Sequence, residues 1–165
     1  MIRQFEPQDA EACSALSRAC LRMDPMIAPD AREDLLRLET AAAMRERACL
    51  YYLAVCFHSG GIVGAAGVDM NEIRLLFVDP GQRRKGIGTS LLEHVEALVP
   101  AALFEDIFVY ASPAAVGFYL SRGYLQGGDC RIAIGEYIFK TVFMSKRIRA
   151  GRQTGAASGA RGMMP

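Results

Sequence analysis

The sequence predicts an α/β domain of the α+β kind, with a mixed, mostly antiparallel central sheet of six to seven strands flanked by about four helices. Three observations carry this expectation. Apolar residues recur at three and four through the first part of the chain, as on helix faces. Residues 50–78 then hold three apolar runs whose connections are too short for a crossover, so the strands must be antiparallel. Helical periodicity returns after Gly88 and leads into a further apolar run at 107–110, which makes a helical crossover to a new strand.

The elements follow in order. Residues 2–5 form a short opening strand, and Pro7 sits where the first turn of a helix begins, with Glu6 and Asp9 suited to its positive end. Ala12, Ala15, Leu16, Ala19 and Cys20 define that helix to about Arg22. Two prolines in 23–30 break it, and a second helix is expected from about Asp30 through Met44, with Leu35, Leu36 and Leu38 apolar. The runs 50–57 and 62–68 flank a Ser-Gly-Gly connection and read as a hairpin. A third strand covers 73–78 and ends at Asp79-Pro80-Gly81. In the next helix Leu91, Leu92, Val95, Leu98 and Val99 share a face, and Pro100 stops it. Ser112 as N-cap, Pro113 at N1 and Gly123 at C′ bracket a helix over 113–122. Residues 124–125, 131–134 and 137–145 supply the last strands. Residues 1–148 are expected to form a single domain, and 149–165, rich in Gly, Ala, Ser and Arg, a mobile tail.

The bulk numbers narrow the function. A chain of 165 residues with 52% hydrophobic side chains can build one real core. Nineteen basic and eighteen acidic residues balance to +1, which argues against a general nucleic-acid binder. No apolar run is long enough to cross a bilayer, so no membrane association is expected, and the N-terminus lacks a signal pattern. The five cysteines and two histidines form no metal-ligand spacing. Free thiols suit a reducing cytosol, and a cytoplasmic protein without a metal is expected.

The informative stretch is residues 71–98, which runs strand, Pro-Gly turn, basic glycine-containing loop and amphipathic helix. The Rossmann glycine fingerprint and the P-loop both fail here. Amides of residues 83–88 can converge at a helix N-terminus, where the dipole favours an anion. Gly86 and Gly88 allow close backbone approach, and Arg83, Arg84 and Lys85 add positive charge. A pyrophosphate is the ligand this arrangement predicts.

Val78-Asp79-Pro80 followed by QRRKGIG and two leucines resembles motif A of the GNAT acetyltransferases, with Arg83, Gly86 and Gly88 matching its signature. YASPAAVGFYLSRGY is similar to the family's motif B, at family order and spacing. The resemblance extends over about residues 2–147. It implies a GNAT fold and an N-acetyltransferase that uses acetyl-CoA as co-substrate and a small-molecule or protein amine as acceptor. It further implies that Leu76, Phe77 and Val78 pair with the pantetheine arm, and that an amide near Val78 polarises the thioester carbonyl. Residues Arg83, Arg84, Lys85, Gly86, Ile87, Gly88 and Thr89 would hold the pyrophosphate. Where many members place a cofactor-contacting Asn, this chain has Pro113, with Ser112 as a partial substitute. Homodimers are common in the family, and the sequence does not decide the matter here.

Two residues are candidates for catalysis. Tyr119 matches the family tyrosine assigned as general acid, placed between two helix faces; the alternative is a space-filling tyrosine with a satisfied hydroxyl. Glu72 matches the glutamate used as base in histone-acetylating members, and strand parity puts it with Arg74, Leu76 and Val78. The alternative is an exposed carboxylate paired with Arg74. His94 reads as packing or facing solvent and His58 as a turn residue; Met23, Met26 and Met44 read as core fillers, with the lining of an acceptor pocket as the alternative. No Cys lies in either motif, so direct amine attack is expected rather than a cysteine intermediate. The competing class is a non-catalytic acyl-CoA-binding or regulatory module on the same fold.

Overall fold

A computed structural model describes residues 1–148, and the expected tail lies outside the described residues. Seven strands form one mixed sheet: β1 (Ile2–Gln4), β2 (Tyr52–His58), β3 (Gly61–Asp69), β4 (Glu72–Val78), β5 (Asp106–Ala111), β6 (Leu125–Ile134) and β7 (Tyr137–Arg147). Their spatial order is β1-β2-β3-β4-β5-β7-β6. Only β4 and β5 run parallel, joined by the helical crossover that parallel pairing requires. Among the described residues the α-helices are α1 (Ala10–Met23), α2 (Pro29–Leu38), α3 (Ala41–Leu50), α4 (Ile87–Glu96) and α5 (Val116–Ser121).

The hairpin between β2 and β3 closes on Ser59-Gly60, both with positive φ (50° and 83°), the conformation that a two-residue primed turn demands. The second expected helix is in fact two. Thr40 breaks it by accepting a hydrogen bond from Ala43 N at 3.1 Å, which caps α3 and turns the chain. The last expected helix also shortens, to a 3-10 turn over Pro113–Ala115 followed by α5. Ser112 precedes that turn without a side-chain cap, whereas Gly123, at φ 87°, ends α5 as expected.

Two apolar layers sandwich the sheet. On one face Leu91, Leu92 and Val95 of α4 pack with Ile73, Ile107, Val109 and Met144. On the other, Ala10 and Cys13 of α1 and Met44 of α3 pack with Leu53, Val55 and Ala65. Of the three methionines expected in the core, only Met44 is there, while Met23 and Met26 are exposed. His94 packs through a 3.0 Å hydrogen bond with Tyr52 Oη. No helix among the described residues is long and apolar enough to cross a membrane.

Glu39, in the α2–α3 turn, ties the three N-terminal helices together. Its carboxylate accepts from Ser17 Oγ at 2.7 Å and Arg47 at 2.8 Å, and its carbonyl accepts from Ser14 Oγ at 2.7 Å. Burial pushes the Glu39 carboxyl up, but hydrogen bonds from Arg47 and Ser17 outweigh it and hold the group below its ordinary value. A depressed folded-state pKa contributes stability above the unfolded value and loses it as pH falls. Glu39→Gln should therefore cost about 2–3 kcal/mol near neutrality by stranding Arg47, and the deficit should narrow as pH falls below about 4. Denaturant melts across that pH range check it.

Candidate active site

Strand β4 is not regular. Gly67 pairs with Leu75 and Val68 with Ile73, so Arg74 is an extra residue opposite two consecutive residues of β3. This bulge resets the alternation. Ile73, Leu76 and Val78 pack on the α4 side, and Leu75 and Phe77 on the α1 side. Strict parity grouped Glu72 and Arg74 with Leu76 and Val78. The bulge instead sets Glu72 and Arg74 on the face opposite Ile73, where they pair at 3.0 Å.

Beyond the bulge β4 leaves β5. The two strands share a single register pair, Glu72 with Phe108, supported by Phe108 N donating to Asn71 O at 2.9 Å. On its other edge β4 stays laddered to β3, and Asp79 N donates to Val63 O at 2.8 Å. Antiparallel ladders alternate, so Phe77 also turns toward β3, and the amides of Leu76 and Val78 face the gap. Val78 O, on that open edge, accepts from Cys20 Sγ of α1 at 3.3 Å. Burial pushes the Cys20 thiol up, against the opposing influence of Arg83 beside it.

Past β4 the chain makes a 3-10 turn over Pro80–Gln82, fixed by Asp79 Oδ1 accepting from Gly81 N at 2.8 Å. Arg84 and Gly86 take positive φ (64° and 81°), and Gly86 stands just before α4. A left-handed residue there costs glycine nothing and any β-branched residue a good deal. No N–H of residues 83–88 donates to another described residue outside the helix, and the first amides of α4 have no partner within it. The loop therefore presents unspent donors at the positive end of α4.

Loop, open strand edge and α1 enclose a cleft of about 610 Å³. Its walls include Leu76, Phe77, Val78, Arg83, Arg84, Gly86, Ile87, Gly88 and Thr89. Of the loop residues singled out from sequence only Lys85 is absent, its Nζ donating to Gln82 Oε1 at 2.8 Å instead. Tyr119 reaches the cleft from α5, yet is only 4% exposed. Its ring stands edge-on between Phe118 and Tyr124, each centroid 5.2 Å away. Burial, with a smaller push from Glu96, raises the Tyr119 hydroxyl well above its ordinary value, so it stays protonated throughout the neutral range. Glu72 is not among the lining residues; it lies four residues before Leu76, roughly 13 Å along the strand at about 3.3 Å per residue.

One wall was only partly foreseen. Ser17, Cys20, Met23 and Asp24, at the C-terminal end of α1, line the cleft, and Ser17 and Cys20 carried no signal for it in the sequence. Their spacing announced only an amphipathic helix, and Cys20 counted there among its apolar positions. Ser112, noted as a substitute for an absent Asn, does line the cleft. Among the described residues no group of three or more His, Cys, Asp or Glu could hold a metal.

Residues 28–135 match the family model described as an acetyltransferase (GNAT) domain. The chain belongs to the GNAT acetyltransferase family. Solved structures agree on the GNAT fold. A GCN5-related N-acetyltransferase from Rhodopseudomonas palustris superposes with a TM-score of 0.83 at 22% identity, over 90% of this chain and 95% of that one. The PaiA N-acetyltransferase of Thermoplasma acidophilum, solved with coenzyme A, gives 0.73 at 16% identity over 90% and 98%. The yncA protein of Salmonella typhimurium, solved with acetyl-CoA, gives 0.65 at 16% over 94% and 98%. In GNAT terms, the motif A residues of this chain form the loop ahead of α4 and the open edge of β4, and motif B supplies α5 with Tyr119.

Proposed function

We propose that this GNAT protein transfers an acetyl group from acetyl-CoA to a primary amine, of a small molecule or a protein, by direct attack within a ternary complex. The observation that carries the reading is the continuity of one cleft. It runs from unspent amides at residues 83–89, past the unpaired amides of Leu76 and Val78, to the phenol of Tyr119. A volume near 610 Å³ is of the size ligand clefts usually have.

The residues present fit the co-substrate. Arg83, Arg84 and the amides through Thr89 would hold its pyrophosphate, with Lys85 adding charge at the rim. Leu76, Phe77 and Val78 would border its pantetheine arm. When bound, acetyl-CoA supplies an acetyl thioester whose carbonyl carries the reactive carbon. The open amides of β4 can bind oxygen where negative charge develops, a donor role that needs no reorganisation. Tyr119 holds its proton at the cleft wall and can give it to a departing thiolate. An amine of pKa about 10 is mostly protonated at neutral pH and needs a base; Glu72, retained for this role on the motif match alone, lies outside the cleft lining and paired with Arg74, so it would act only through intervening water. The similar structures solved with coenzyme A or acetyl-CoA support this choice of ligand. A cytoplasmic setting is proposed on the free thiols.

CoA at a hundred times its Kd should raise Tm by roughly 5–10 °C through binding linkage, and Arg83→Glu should remove most of that shift. ATP or NAD shifting Tm in place of CoA would overturn the ligand assignment. A panel of amines assayed for thiol release from acetyl-CoA then tests transfer. CoA binding with no amine supporting release would select the non-catalytic module instead.

A further inference from the structure

Tyr124 is 1% exposed, and a phenol so buried needs an acceptor. It finds Glu96, donating from Oη to Oε1 at 2.9 Å. Lys146 Nζ binds both oxygens of the same carboxylate, at 3.0 and 2.8 Å, and lies 5.5 Å from the centroid of the Tyr124 ring. Glu96 is the last residue of α4, where the helix dipole disfavours a carboxylate. A phenylalanine at 124 would fill the same space and require no half-buried ion pair, so packing does not account for the set.

What the set restrains is the Tyr124 ring, and that ring meets Tyr119 at 5.2 Å and 68°. Gly123, at φ 87°, makes the tight return that brings the two together, and Tyr124 N donates to Tyr119 O at 3.1 Å. Phe118 holds the opposite side of Tyr119 at 5.2 Å and 76°. The Tyr119 hydroxyl itself has no hydrogen bond to a described residue, so packing within the buried cluster, with the Phe118 and Tyr124 rings directly against it, sets its direction. We infer that Glu96 and Lys146 lock the ring of Tyr124, and that Tyr124 in turn fixes the rotamer with which Tyr119 faces the cleft. The three are positioning residues for Tyr119. This rests on the proposed role of Tyr119 as proton donor.

The test uses full-length protein with CoA bound and 3-fluorotyrosine in place of tyrosine, the Tyr119 resonance being assigned by its loss in Tyr119→Phe. Tyr124→Phe, Glu96→Gln and Lys146→Met should each shift or broaden that resonance while the midpoint for CoA binding holds. In steady state, with acetyl-CoA and the amine from the panel that gives the fastest thiol release, Tyr124→Phe should lower kcat about five- to twentyfold and leave the acetyl-CoA KM within about twofold. In a Tyr119→Phe background the same change should cost less than about twofold, because the group being positioned is gone. An unmoved Tyr119 resonance in all three variants overturns the inference, and so does an equal loss of kcat in both backgrounds. A Tyr119→Phe enzyme as fast as wild type would sink the proton-donor role, and the fluorine spectra would still report on the lock itself.

Discussion

Tyr119→Phe should lower turnover in thiol release by roughly ten- to a hundredfold, the range for one acid–base group, with little change in the KM for acetyl-CoA. The phenylalanine ring preserves the edge-on packing against Phe118 and Tyr124, so the fold and the cleft wall survive. Only the proton is removed. Because burial raises the hydroxyl above its ordinary value, it is available as a donor and not as a base in the neutral range. The loss should therefore be nearly constant from pH 6 to about pH 9, above which a departing thiolate of pKa near 8.5 needs less help. Initial rates for both proteins across that range decide it. Equal rates would take Tyr119 out of the chemistry.

Gly64→Val should destabilise the protein by at least about 2 kcal/mol and abolish the CoA-dependent rise in Tm. Gly64 lies in β3, where a Cβ would come within 2.7 Å of Leu91 Cδ1, 3.1 Å of Phe77 O and 3.2 Å of Ile87 Cγ2. Leu91 is fully buried and has nowhere to go. The backbone of β4 and the first turn of α4 would have to move, and both border the cleft. Gly64→Ala provides a graded version with a smaller loss of both stability and binding. A Gly64→Val protein that melted like wild type and bound CoA normally would show that α4 can slide freely over the sheet, contrary to this packing.

The layout of the sheet was legible because its signals are local. Ser59-Gly60 closes a hairpin, and the run from Asp79 to Gly88 carries its turn and charge in plain sight; α4, by contrast, ends at Glu96, short of the stop expected at Pro100. The loop ahead of α4 was readable for the same reason: glycine, charge and a helix start lie within ten residues. Other features depend on partners far away in sequence. The split at Thr40 was missed because leucine spacing carried the helix reading straight across a capping residue. The bulge at Arg74 left no mark, since Glu72–Val78 does not alternate strongly enough for a dropped beat to show. The Ser17 and Cys20 part of the α1 wall was invisible because only the tertiary fold tells which flank of an amphipathic helix meets an opening. The stacking of Tyr119 on Tyr124 needs the left-handed turn at Gly123, and the acceptor for Tyr124 comes from a helix that ends 28 residues upstream.

The parting of β4 from β5 has a consequence for the molecule as a whole. Among the described residues, one register pair, whose bonds include Phe108 N to Asn71 O, and the Asn71 side chain on Asp106 O stitch β4 to β5 across the middle of the sheet. Peptide groups along such a seam cannot be left dry and unpartnered without cost, so an extended molecule that brings its own amides is the natural filler. A GNAT protein built this way is an interrupted fabric, and the proposed co-substrate would be the missing thread.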